Sequence, residues 1–265
     1  MCGKTSSQAQ LVVRWLSLGL IAGVALAFVL APWPLMDKLR AVGFAMCPQR
    51  PAHSMFLAGA QLPLEARKVG IYLAFLSTIT YLVILGCGRS NGSVRRPVAA
   101  VLFGFILLMG VDGFNALFYD LELPHLYRPD NNLRLATGLL SGLATAMLAL
   151  PVLGVSLWPK DQPRGPVVGW RELLVALVVQ AVLFVAVVSG SAWLLYPLSA
   201  LSIAGAVAML LFINALFLVG VIKWPWRVVA RPDLLPILAL AMVLSGLELG
   251  AMAAFRLALV GTAPL

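Results

Sequence analysis

The sequence predicts an all-α integral membrane protein of about seven transmembrane helices, and three observations carry that prediction. Of 265 residues, 62% are hydrophobic and 11% charged, with a mean hydropathy of +0.98. Soluble domains are roughly 45–50% apolar and about 25% charged, so a water-soluble fold would lack the polar surface to cover itself. The apolar residues gather into seven runs of about the 20 residues that a bilayer core requires. No stretch alternates with period two, so helices that satisfy their own backbone are required and a barrel is excluded.

The runs follow in order. The first, Leu11–Ala31, is closed by Pro32-Trp33-Pro34 and reads as a retained signal-anchor helix, because no small-x-small cleavage site follows it. Lipoprotein and myristoyl readings of Met1-Cys2-Gly3 fail: no apolar region precedes the cysteine, and glycine is not second. Val69–Cys87, Pro97–Tyr119 and Leu133–Trp158 come next. Glu172–Tyr196 and Leu198–Ile222 are joined by a tight Tyr196-Pro197 turn, and Leu234–Val260 is the seventh. The whole chain reads as a single polytopic membrane domain.

Charge sets the expected orientation. Lys4, Arg14, Arg89, Arg95, Arg96, Lys160, Arg164, Arg171, Lys223, Arg227 and Arg231 fall on the N-terminal side of the bilayer. Lys38, Arg40, Arg50, Arg67, Lys68, Arg128, Arg134 and Arg256 fall on the other. The excess places the N terminus in the cytoplasm and the C terminus outside, in a bacterial inner membrane. The net charge of +9 is spread in short clusters between apolar runs. That suits anionic headgroups and leaves no groove for nucleic acid. Trp15, Trp33, Trp158, Trp170, Trp193, Trp224 and Trp226 all lie near run ends, as an aromatic belt requires.

Candidate chemistry is sparse. Met36–Lys68 reads as an irregular, interfacial or re-entrant segment, and its Cys47 and His53 are the residues that could hold a soft metal. Two ligands without CxxC or HxxxH spacing make a poor site, so no cofactor is expected. Within the spans, Asp112 has Asn115 one turn on, and Glu248 has Arg256 two turns on. Such groups are costly in lipid and mark proton, quinone or packing contacts. The loop 120–132 adds His125, Tyr127 and Arg128, and with Asp112 and the Cys47 segment it is expected to form one outer cap. Gln180 and Asn214 read as interhelical hydrogen bonds, and Gly19/Gly23, Gly138/Gly142 and Gly246/Gly250 as close-packing pairs.

Cys47, Gln49, Pro51, Ser54 and Phe56, followed by Pro63, Ala66, Arg67, Gly70, Ile71 and Tyr72, resemble the signature of an uncharacterised family of bacterial polytopic membrane proteins. That signature runs Cys-His-Gln-x-Pro … Pro-Val-Cys-Ala-Arg-Cys-x-Gly-Ile-Tyr. Asp112-Gly113 and Asn131-x-x-Arg134-x-x-x-Gly138 are similar to its later elements. The resemblance covers about 40–150 and leaves an additional three-helix part, about 170–261. It implies a Cys/His/Cys/Cys set of which only Cys47 persists; Pro48, Glu65 and Lys68 replace the others. Glu65 and Lys68, three apart, would pair on a helix in place of a metal clamp.

Three functions are weighed on this basis. The leading expectation is a non-catalytic accessory subunit of a larger membrane complex, of the respiratory or photosynthetic electron-transfer class. It would hold lipid or line quinone access through Glu248, Arg256, Asp112, His125 and Tyr127. A small transporter using Glu248 and Asp112 is the second, and a metal or redox enzyme using Cys47 and His53 the third. No nucleophile elbow, phosphate loop or inverted repeat supports a further class.

Overall fold

The structure, a computed structural model, describes residues 2–87, 93–157, 168–220 and 231–260. Arg89, Lys160, Arg164, Lys223, Arg227, Trp158, Trp224 and Trp226, all used above to set topology, lie outside the described residues. Eight α-helices are described: α1 (Cys2–Leu30), α2 (Leu35–Met46), α3 (Ala66–Ile84), α4 (Arg96–Asp120), α5 (Asn131–Leu157), α6 (Trp170–Val188), α7 (Leu195–Gly220) and α8 (Leu235–Val260). All but α2 contain a stretch long and apolar enough to cross a membrane, giving seven spans among the described residues. The chain is an all-α, multi-span membrane protein, with spans within a few residues of the apolar runs.

The bundle is built around α3, whose most extensive contact is with α5 and which also packs on α7 and α6. Glycines allow that closeness. A Cβ at Gly138 or Gly142 of α5 would sit on the carbonyls of Arg67 and Ile71; one at Gly205 of α7 would sit on that of Tyr72. Small residues at these positions let helix backbones meet, the usual packing device where lipid removes the hydrophobic drive. Phe75 of α3 and Phe212 of α7 meet edge to face, with centroids 5.6 Å apart. The other two glycine pairs do not pack. Nothing approaches a Cβ at Gly19, Gly23, Gly246 or Gly250. Those pairs lie on outward faces of α1 and α8, the correction being that spacing alone does not say which face a neighbour covers.

Burial separates core from rim: 61% of the α5 span is buried, against 17% for α4 and 6% for α1. Helix α1 meets chiefly α8, and Arg14 is ion-paired with Asp233 in the 3-10 turn (Arg231–Leu234) that precedes α8. Gln180 of α6 donates to Ser77 and Thr78 of α3, both at 3.3 Å, and Asn214 of α7 donates to Ser245 of α8 at 3.0 Å. Both are interhelical hydrogen bonds, as their residue types suggested.

Two local expectations are corrected. The Met36–Lys68 segment is not irregular but built of regular elements. Helix α2 ends at Met46, a 3-10 turn spans Pro51–His53, and strands β1 (Ser54–Leu57) and β2 (Ala60–Glu65) pair antiparallel. Their register sets Ser54 against Glu65 and Leu57 against Ala60, with a bulge between Ser54 and Phe56. Ala58 (φ 48°) and Gly59 (φ 80°) form the two-residue turn, both left-handed as a type I′ hairpin demands. The Ala58 N–H donates to the Gly190 carbonyl at 2.9 Å, tying the hairpin to the α6–α7 connection. That connection is the second correction. The reversal is made at Gly190 (φ 66°) and the 3-10 turn Ala192–Leu194, while Tyr196-Pro197 already belong to α7. Proline is tolerated in a first helical turn, where the N–H has no helical acceptor.

Candidate functional site

At one end of the bundle the hairpin, the last turns of α4, the 121–130 loop and the first turns of α3 and α5 converge. Asp112 is the anchor. Its side chain is 2% exposed, and it accepts hydrogen bonds from Arg67 Nη2 at 2.5 Å, Tyr127 Oη at 2.8 Å and Thr137 Oγ1 at 3.2 Å. Asn115, one turn on, holds the loop. Its Oδ1 accepts the Leu126 and Tyr127 N–H groups at 2.7 and 3.2 Å, and its Nδ2 donates to the Tyr127 carbonyl at 2.9 Å. Asn131 ties α5 to the hairpin by donating to the Ala52 and Ser54 carbonyls at 3.1 and 3.2 Å.

Above Asp112 lies a pocket of about 220 Å³ lined by Arg50, His53, Glu65, Arg67, Gly113, Ala116, Leu117, Asp120 and Arg134. Arg50 reaches both Glu65 and Asp120 at 3.3 Å. Arg134 is only 6% exposed, yet its one hydrogen bond is to Asn131 Oδ1 at 3.0 Å, and it forms no ion pair among the described residues. Arg67 Nε is buried without a partner. His53 Nε2 is 3.5 Å from Asp120. Burial, then the charges of Arg134 and Arg50, push its pKa below the usual histidine value, so at neutral pH that contact is to a neutral imidazole.

Tyr127 is pushed up to about 12, first by burial and then by its hydrogen bond and charge contact with Asp112. The native state therefore keeps this proton where the unfolded chain loses it. The stability it contributes is full below pH 10 and is lost as pH rises from 10 to about 12. We expect Tyr127→Phe to flatten that alkaline fall in unfolding midpoint. An unchanged profile would remove Tyr127 from the account.

The sequence-level candidates separate. Asp112 and Tyr127 meet directly. His125 is exposed, with Nδ1 3.1 Å from the Leu123 carbonyl and its ring edge-on to Tyr119, away from the pocket. Glu248 and Arg256 do not pair: Glu248 accepts from Asn214 at 2.9 Å, whereas Arg256 donates to the Phe44 carbonyl at 2.6 Å and lies over the Phe44 ring. Glu248 and Asp112 thus belong to separate networks. Cys47, fully buried, accepts the Glu65 N–H at 3.3 Å, while His53 faces Asp120. Nor do Glu65 and Lys68 pair with each other. Glu65 turns to Arg50, and Lys68 Nζ donates to the Met46 carbonyl at 2.6 Å. Glu65 is the last strand residue and precedes the helix, so the i,i+3 helical geometry never applies.

Arg67 and Arg134 are site residues that the sequence reading does not single out, though both stand in the signature as well as among the topology charges. Their signal lay in the signature: Gln49, Ser54, Arg67, Asp112, Asn131, Arg134 and Gly138, scattered along the chain, all contribute to this one end of the bundle. No curated protein and no solved structure matches the chain. A family model does, over residues 47–148, which hold the hairpin, α3, α4 and most of α5. The model of the family described as "Predicted membrane protein (DUF2085)" is similar to that part of the chain alone, and the charged pocket is made of it.

Proposed function

We propose that the chain is a non-catalytic accessory subunit of a larger membrane assembly, docking through its α7–α8 face. The observation that supports this is Glu248. It stands near the middle of the Pro232–Leu259 span, is exposed on the outer surface of the bundle, and has Asn214 as its partner. A charged side chain at mid-bilayer costs about 2.5–3.5 kcal/mol even on the lenient insertion scales. A neighbouring subunit that supplies a donor would remove that cost. The reading places the protein in a bacterial cytoplasmic membrane, N terminus inside. An electron-transfer complex with lipid or quinone access is the class of assembly proposed. Seven spans with few ionisable groups support it.

Purification of the native protein in mild detergent tests it. Partner chains should co-migrate and be lost from the Glu248→Leu variant, which should itself remain folded. Migration of the native chain alone would sink the proposal.

A further inference from the structure

The pocket beneath the hairpin holds two unmatched charges of opposite sign. On one wall a single guanidinium, Arg50, serves two carboxylates, Glu65 and Asp120, at 3.3 Å each. One negative charge is left over, and His53 beside Asp120 does not supply the balance. Arg134 is nine-tenths buried and forms no ion pair among the described residues, and Arg67, its charge answered by Asp112, has a buried Nε without a partner there. Asp130 does not answer Arg134 either: its carboxylate caps α5, accepting the Asn132 and Leu133 N–H groups at 2.8 and 3.2 Å. The pocket is therefore neutral overall, with Arg134 near Glu65 and Asp120 but out of ion-pair contact with them. A simple anion would meet Glu65 and Asp120, and a simple cation would meet Arg134.

We infer that this pocket binds a zwitterion carrying a primary ammonium and an oxyanion, with the oxyanion on Arg134 and Arg67 and the ammonium on Asp120 and Glu65. Guanidinium suits a phosphate or carboxylate oxygen pair, and an ammonium with N–H donors suits two converging carboxylates. The volume of about 220 Å³ accommodates a phosphoethanolamine group. One wall, Gly113, Ala116 and Leu117, belongs to the last turns of α4, a span only 17% buried whose Phe114, Leu117 and Phe118 face outward. A lipid head can enter there from the bilayer with its chains along α4; a soluble zwitterion can enter from the water side.

Native mass spectrometry of the full chain in detergent, with phosphatidylethanolamine, phosphatidylcholine or phosphatidylglycerol added at equal concentration, is the test. We expect phosphatidylethanolamine to be retained at least about tenfold better than either comparator, since the choline head lacks N–H donors and the glycerol head lacks the cation. Arg134→Gln and the milder, near-surface Asp120→Asn should each abolish the preference. Competition by glycerophosphoethanolamine would assign the site to the head alone, and its absence to the whole lipid; both uphold the zwitterion. Equal retention of the three lipids without binding of glycerophosphoethanolamine, or a preference unchanged in folded Asp120→Asn, overturns it.

Discussion

Asp112→Ala is expected to destabilise the protein by about 3–5 kcal/mol, because it removes the carboxylate that, among the described residues, answers a guanidinium held at the heart of the converging elements. Arg67, Tyr127 and Thr137 all donate to this one carboxylate, whose side chain is 2% exposed. Truncation leaves Tyr127 Oη without its acceptor and Arg67 without its counter-charge, while Thr137 keeps the Leu133 carbonyl at 2.9 Å. The Arg67 guanidinium has only the Asp112 backbone carbonyl, at 3.2 Å, to fall back on. Total stabilities are of order 5–15 kcal/mol, so the loss is a large share of the whole. Thermal unfolding in detergent should show it as a marked fall in midpoint. Asp112→Asn should cost less, since the amide oxygen can still accept from Tyr127. The double variant Arg67→Met/Asp112→Leu should recover much of the loss, as replacing a buried pair with apolar side chains often does. A change below about 1 kcal/mol in Asp112→Ala would show that the pair contributes little, and would return Asp112 to the set of groups free for proton or ligand chemistry.

The sequence made the spans legible because lipid imposes one solution on a long apolar run. It could not show which face of each helix is covered, and glycine spacing illustrates why. Gly138/Gly142 and Gly246/Gly250 are the same motif in sequence, but only the first has a backbone against it. The hairpin escaped notice for a different reason. Its turn is Ala58-Gly59, without the Asn-Gly or Asp-Gly pair that announces a type I′ turn, and the bulge after Ser54 breaks the alternation of its strand. Non-helical backbone is tolerated there because it sits at the end of the bundle, with the Pro63 and Ser54 carbonyls answered by the Gln49 and Asn131 side chains. The pocket was hidden by distance along the chain. Arg67 and Arg134 start different helices, and only the glycine-mediated approach of α3 to α5 brings their first turns together. The signature residues marked the right end of the molecule without saying what they do.

The replaced cysteine positions lead to the second large effect. Cys47 Sγ accepts the backbone N–H of residue 65, and Lys68 Nζ reaches the carbonyl of residue 46, so positions 47, 65 and 68 adjoin in space. Thiols there would lie near one another at the α2–β2–α3 junction, where Cys47 is already fully buried. In this chain the Lys68 ammonium occupies that junction, a fixed cation bonded to a carbonyl where the resemblance implies a metal. Restoring the set with Pro48→His, Glu65→Cys and Lys68→Cys is expected to create a tetrahedral zinc site of one nitrogen and three sulfurs, with bonds of about 2.0–2.1 and 2.3 Å. Metal analysis should give about one zinc per chain. The unfolding midpoint should rise with zinc and fall on chelation, because metal bound only by the folded state adds its binding free energy to stability. Lys68→Cys alone should instead destabilise, since the Met46 carbonyl loses its donor and two thiols do not complete a site. A folded triple variant with no more zinc than the parent would show that the junction is too open or wrongly angled for a metal, and that the lysine is packing there and not standing in for a lost cation.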